Sequence, residues 1–175
     1  MGAICNPERV ELEQRGRTAL AEVAAIQTSY HQASDPALRF LSLVQAALAG
    51  GRAHVADRRG AVPESPERWG WRQKLKGRVW VPQGTRIGWL TGSDVFLEPE
   101  ASYQVAQQMA GPERLPIGAQ TLRQRLREHG LLASVDVGRH MLLVRRILEG
   151  CSRKVLHLKG SNLVSLETES ARNSS

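Results

Sequence analysis

The chain has 175 residues, 41% of them hydrophobic and 23% charged. That is an ordinary globular balance, long enough for one medium domain with a core, or one domain plus a helical arm. With 24 Lys+Arg against 17 Asp+Glu the formal charge is +7, which suits a polyanionic partner without requiring one. Asn6–Gln32 reads as a long helix. Asn6 is a good cap, Pro7 suits the first helical position, and Glu8, Glu11 and Glu13 favour the positive end of the helix dipole. Its apolar stripe of Leu12, Ala19, Val23 and Ile26 is too narrow for a core helix, and Gly16 weakens it. Residues 1–34 are therefore expected to form an N-terminal helical arm or linker.

Ser34-Asp35-Pro36 is a helix start signal. Leu38, Leu41, Val44, Gln45 and Leu48 then follow helical spacing, Phe40 and Leu43 broaden the buried face, and Gly50-Gly51 stops the run. Ala53–Ala56 reads as a short strand, and Asp57–Arg68 as a turn-like Pro/Glu/Arg-rich stretch. Four short β-type runs follow at Trp69–Trp71, Val79–Val81, Ile87–Leu90 and Val95–Leu97, the last two joined by the turn signal Thr91–Asp94. Glu98-Pro99-Glu100 opens a third helix that ends near Ala110-Gly111. Pro116 precedes a fourth, about Ile117–His129, stopped by Gly130. Met141–Leu148 and Lys154–Lys159 are expected to pair as an antiparallel hairpin across Glu149–Arg153. Ser161–Ser175 is polar and Ser-rich, an expected disordered tail.

The segment richest in chemistry is Ala119–His129, AQTLRQRLREH. Ala119, Leu122, Leu126 and His129 share one helical face, while Gln120, Arg123, Gln124 and Arg127 form the opposite stripe. Arg and Gln pair bidentately with guanine and adenine edges in the major groove. A solvated amphipathic helix would show the same stripes, so context decides. A helix, then two helices joined by a short turn, then a β-hairpin is the winged helix–turn–helix order. Gly111–Gly160 holds ten Lys/Arg against four Asp/Glu, whereas the first 110 residues hold thirteen against eleven. The excess charge therefore falls on the expected reading helix and wing, where Arg145, Arg146, Arg153 and Lys154 suit phosphate contacts.

The four Trp residues, Trp69, Trp71, Trp80 and Trp89, have Arg68, Arg72, Lys74, Lys76 and Arg78 interleaved. That pattern allows a stacking platform for single strands, but a small β subdomain with Trp in its core is the favoured reading. His129 and His157 stand beside apolar positions, suited to packing or capping. Glu98 and Glu100 flank a helix start, where carboxylates act as caps. No phosphate loop, nucleophile elbow or acidic metal-ligand pair is present, so no catalysis, cofactor or metal is expected. Cys5 and Cys151 stand outside any zinc spacing, and two lone thiols fit a reducing cytoplasm. Met1–Pro7 lacks the pattern of a signal peptide. Phe40–Ala49 is far shorter than a membrane span.

The runs LRFLSLVQAALAGGRAHVAD, PERWGWR, RIGWLTGSDVFLEPEASYQVAQQ, TLRQRLREHGLLASVD and LLVRRILEGCSRKVLHL resemble the C-terminal region of primase/helicase-type proteins of bacterial mobile elements. The resemblance spans roughly Pro36–Leu158. In those proteins the region follows a nucleotide-hydrolysing helicase core, whose phosphate loop this sequence lacks. The resemblance implies an accessory role in DNA replication beside a helicase/primase core, and it assigns no site residue.

The resulting expectation is an α+β winged helix–turn–helix domain over 35–160, with a β-rich insertion at 52–97 and an N-terminal helical arm. Duplex DNA is the expected partner, bound by Gln120, Arg123, Gln124, Arg127, Arg145, Arg146, Arg153 and Lys154. The alternatives are a protein-interaction domain, or a single-strand binder, acting through the Trp-rich insertion.

Overall fold

A computed structural model describes residues 35–74, 79–135 and 142–164. The chain divides into two compact units, Met1–Asp35 and Pro36–Ser175, and all described residues but Asp35 belong to the second. The expected arm Asn6–Gln32 lies outside the described residues, as do Lys76, Arg78, Met141 and residues 165–175 of the expected tail.

The second unit is mixed α+β. Helix α1 spans Pro36–Ala49, followed by strand β1, Ala53–Asp57. A single 3-10 turn, Pro66–Trp69, leads into β2 (Trp71–Gln73) and β3 (Trp80–Pro82). Then come β4 (Thr85–Thr91), β5 (Asp94–Leu97), α2 (Pro99–Ala110) and α3 (Ala119–Glu128). Strands β6 (Leu132–Ser134), β7 (Val144–Leu148) and β8 (Cys151–Lys159) follow, with a short α4 at Ser161–Val164. Strand β6 and helix α4 were not expected. The hairpin forms as the sequence indicates, but its turn is only Glu149-Gly150, because Cys151–Arg153 already belongs to β8.

The main sheet has six strands in the order β1-β4-β5-β8-β6, with β7 also on β8. Strands β1 and β4 are parallel and the other pairs antiparallel. This changes the status of 52–97. Strands β1, β4 and β5 are part of the same sheet as β8, and only β2 and β3 form a separate two-stranded pair. The segment is therefore mostly sheet rather than an inserted module. The small pair is held down by Trp71, whose Nε1 donates to Val55 O at 2.8 Å. Gly70, at φ 79°, allows that approach: a Cβ there would lie 2.0 Å from Ala53 O.

Side chains alternate across the sheet. Register places Trp89, Phe96, His157 and Ser134 in one cross-strand row, and Leu90, Val95, Leu158 and Leu132 in the next row on the other face. Phe40, Leu41, Val44 and Leu48 of α1 are buried at helical spacing, as expected. With Val105 and Ala106 of α2 and Leu122 and Leu126 of α3 they join the strand residues in one buried cluster.

The α2–α3 connection is held by polar bonds. Tyr103 Oη donates to Ile117 O at 2.8 Å, and Leu115 N donates to Gln107 Oε1 at 3.0 Å. Arg39 of α1 donates to Glu113 O at 2.7 Å within the same connection. Helix α2 is capped by Glu98, which accepts from Ala101 N. Helix α3 ends in a Schellman pattern: Gly130 N donates to Arg127 O and Leu131 N to Leu126 O, both at 2.9 Å, with Gly130 at φ 65°.

Candidate nucleic-acid interface

Helix α3 buries Leu122 and Leu126 and exposes Gln120, Gln124 and Arg127. Two expectations need correction. Arg123 is not openly exposed: its side chain is 21% accessible, and its Nη2 donates to Glu100 Oε1 of α2 at 2.7 Å. Adjacent helices pack closely enough for long side chains at their edges to meet, which the periodicity of one helix cannot reveal. His129 does not join the apolar face. The helix closes at Glu128, and the turn through Gly130 leaves His129 exposed.

The outward stripe of α3 borders a groove of about 610 Å³. Gln120, Arg123, Gln124, Arg127 and Glu128 line one side, and Leu142 and Leu143, just before β7, line the other. Helix α3 and the foot of the hairpin therefore share one concave surface. A ten-residue helix is about 15 Å long, and a helix fits a major groove about 12 Å wide.

The hairpin splits the four basic residues assigned to it. Arg145 pairs with Lys154, and Arg146 with Arg153, so strand alternation sends the two pairs to opposite faces. Arg145 and Lys154 are exposed, on the same face as Ile147, which is 62% exposed. Arg146 and Arg153 share their face with the buried Val144 and Leu148. The Arg146 guanidinium lies 5.5 Å from the Phe96 ring centre, and that of Arg153 lies 5.0 Å from Trp89. Arg146 remains exposed, whereas the Arg153 side chain, 37% accessible, lies along Trp89 and pairs with Glu149 rather than standing free.

Arg153 belongs instead to a clamp. Arg86 of β4 also lies over Trp89, at 5.2 Å. Glu149, at the hairpin tip, pairs with both Arg86 and Arg153. Its backbone N donates to Arg58 O at 3.0 Å, beyond β1. Glu149 and Gly150 have φ of 52° and 75°, the two positive values of a type I′ turn. Glu is a poor residue for that conformation, and the ion pairs and backbone bond hold it there. Replacing Glu149 by Ala keeps the backbone strain and removes the clamp. Because these charges are partly solvated, the expected loss is only about 1 kcal/mol. Glu149→Gly loses the same clamp but relieves roughly 1–2 kcal/mol of left-handed strain, so it should lie above Glu149→Ala in urea unfolding. Equal midpoints for Glu149→Ala and the native chain would show that the clamp contributes nothing.

A second polar cluster crosses the sheet. Ser134 Oγ lies 2.6 Å from His157 Nδ1, and His157 Nε2 lies 3.3 Å from Asp94 Oδ1, which also accepts from Lys159 Nζ at 2.8 Å. The Lys159 hydrogen bond, helped by His157, holds the Asp94 carboxyl below its usual range. Ser134 sits in ordinary strand backbone, not on a strained elbow. The Ser134 contact ties the edge strand β6 to β8, and His157 is buried and stacks on Phe96, ring centres 4.7 Å apart.

Trp69, Trp71 and Trp89 are buried and Trp80 is half-buried, so these rings are core rather than an open stacking surface. Val62 and Val79 are exposed in the same segment, but scattered valines are normal on a folded protein's surface. Among the described residues no His/Cys/Asp/Glu group could hold a metal ion, and no helix is long and apolar enough to cross a membrane. No family model, curated protein or solved structure matches this chain.

Proposed function

We propose that the chain is a non-enzymatic duplex-DNA-binding module of winged helix–turn–helix type. In this reading α3 enters the major groove, and the outer face of the β7–β8 hairpin lies on the phosphate backbone. The observation that carries it is the shared groove, with Gln120, Arg123, Gln124 and Arg127 on one wall and the foot of the hairpin on the other. Strand order supports the same reading. A strand (β5), two helices (α2 and α3), then a β7–β8 hairpin whose second strand pairs with β5 is an order that a wing following a reading helix would have. Arg145 and Lys154 supply charge on the hairpin's outer face, where contacts position a protein without reading sequence. The sequence resemblance adds the setting: an accessory to a helicase/primase apparatus of a mobile element.

The test is fluorescence anisotropy with a labelled duplex across a salt series. Binding should weaken steeply, with a log–log slope of about −0.9 for each phosphate contact. Absence of binding at low salt, or an affinity indifferent to salt, would sink the reading.

A further inference from the structure

Glu100 sits in the first turn of α2, but the cap there is already supplied by Glu98. Its carboxylate is directed instead to Arg123 on α3. Arg123 also lines the groove, so one guanidinium faces both a carboxylate and the surface proposed to meet DNA.

That geometry alters what Arg123 can do. A guanidinium carries five N–H donors in a rigid fork. Glu100 takes one Nη2 hydrogen, and among the described residues no other side chain bonds this guanidinium, which lines the groove with 21% of its side chain accessible. Holding the side chain in one rotamer removes in advance part of the roughly 2 kcal/mol of rotamer entropy that a mobile Arg carries. The carboxylate also cancels much of the net charge, which weakens attraction to phosphate. What remains is an oriented set of donors, suited to two acceptors side by side. Guanine presents that pair, O6 and N7, in the major groove.

We infer that Glu100 is a specificity-determining positioning residue: it fixes the Arg123 guanidinium on α3 so that Arg123 reads guanine rather than phosphate. The inference rests on the duplex-binding reading and goes beyond it by naming a base and the residue that enforces the choice. Arg127, on the same stripe and exposed, is left for backbone contact.

The experiment uses the full chain. A randomised duplex pool is enriched on the native protein, and affinity is measured for the selected duplex and a scrambled one. Glu100→Ala should lower the ratio of selected to scrambled affinity about ten-fold, the scale of one bidentate base contact. Scrambled-duplex affinity should stay equal or tighten, because a negative charge has gone. Glu100→Gln should recover part of the ratio, since its amide oxygen accepts the same hydrogen bond. Arg123→Ala should lower the ratio as Glu100→Ala does, and the double variant should lose little more. Replacing one guanine of the selected site should matter to the native chain and not to Glu100→Ala. An unchanged ratio overturns the assignment alone, as does an equal loss on both duplexes. Failure of the native chain to bind either duplex overturns the duplex reading and this assignment with it.

Discussion

Reversal of Arg127, Arg145 and Lys154 to glutamate should abolish duplex binding while the protein stays folded. All three side chains are exposed, one on α3 and two on the outer face of the hairpin. Hydrogen bonds to charged groups contribute roughly 1.5–3 kcal/mol each. Losing three and adding repulsion should weaken binding by at least two orders of magnitude, on the order of 100-fold or more. Surface changes of this kind shift stability by about 0.5 kcal/mol or less each, so circular dichroism should report an intact fold. The milder Arg145→Ala/Lys154→Ala variant should weaken binding to all sequences alike and lower the salt slope by about 2. The matching change on the inner face, Arg146→Ala/Arg153→Ala, should act mainly on stability, because those side chains lie over Phe96 and Trp89. If the triple reversal binds as the native chain does, neither Arg127 of α3 nor the outer face of the hairpin meets DNA.

The largest loss of stability is expected from Phe40→Ala. Phe40 is fully buried on α1, and a Phe→Ala change in a packed core costs roughly 3–5 kcal/mol. That is a large share of the about 5–15 kcal/mol that holds a typical domain folded. For a chain of this size the melting temperature should fall by about 2–4 °C for each kcal/mol. Urea unfolding followed by circular dichroism gives the number. A loss under about 1 kcal/mol would mean that α1 is not part of the core.

Local signals in the sequence were the reliable ones. Gly130 stops α3, Pro36 starts α1, and the hairpin turn falls where Glu149-Gly150 breaks two β-type runs. Each depends on neighbours a few residues apart. The sheet order was not legible in the same way. The parallel pairing of β1 with β4 spans the whole 58–84 segment, and no short-range pattern specifies it. Trp as β core is the reading the sequence favours, and the buried rings agree with it, but their partners are not legible for the same reason. Only the long-range register shows Trp89 under two guanidinium groups and Trp71 bonded to Val55.

The candidate site divides in the same way. The Leu122/Leu126 face and the exposed Gln120, Gln124 and Arg127 follow from helical period alone. The Arg123–Glu100 pair does not, since its partner is 23 residues away on another helix. The split of the hairpin charges was available in principle. Adjacent strand residues point to opposite faces, so Arg145 and Arg146 could not both serve one phosphate surface. What the sequence lacked was the identity of the inner face, which the buried Val144 and Leu148 supply.

Duplex binding through α3 and the hairpin can be located by an amide chemical-shift map of the isotopically labelled chain, titrated with duplex DNA at low salt. The largest changes should fall on Gln120–Arg127 of α3 and at Arg145 and Lys154, with Trp71–Gln73 and Trp80–Pro82 little affected. Changes concentrated on the β2–β3 pair, with α3 unmoved, would contradict binding through α3.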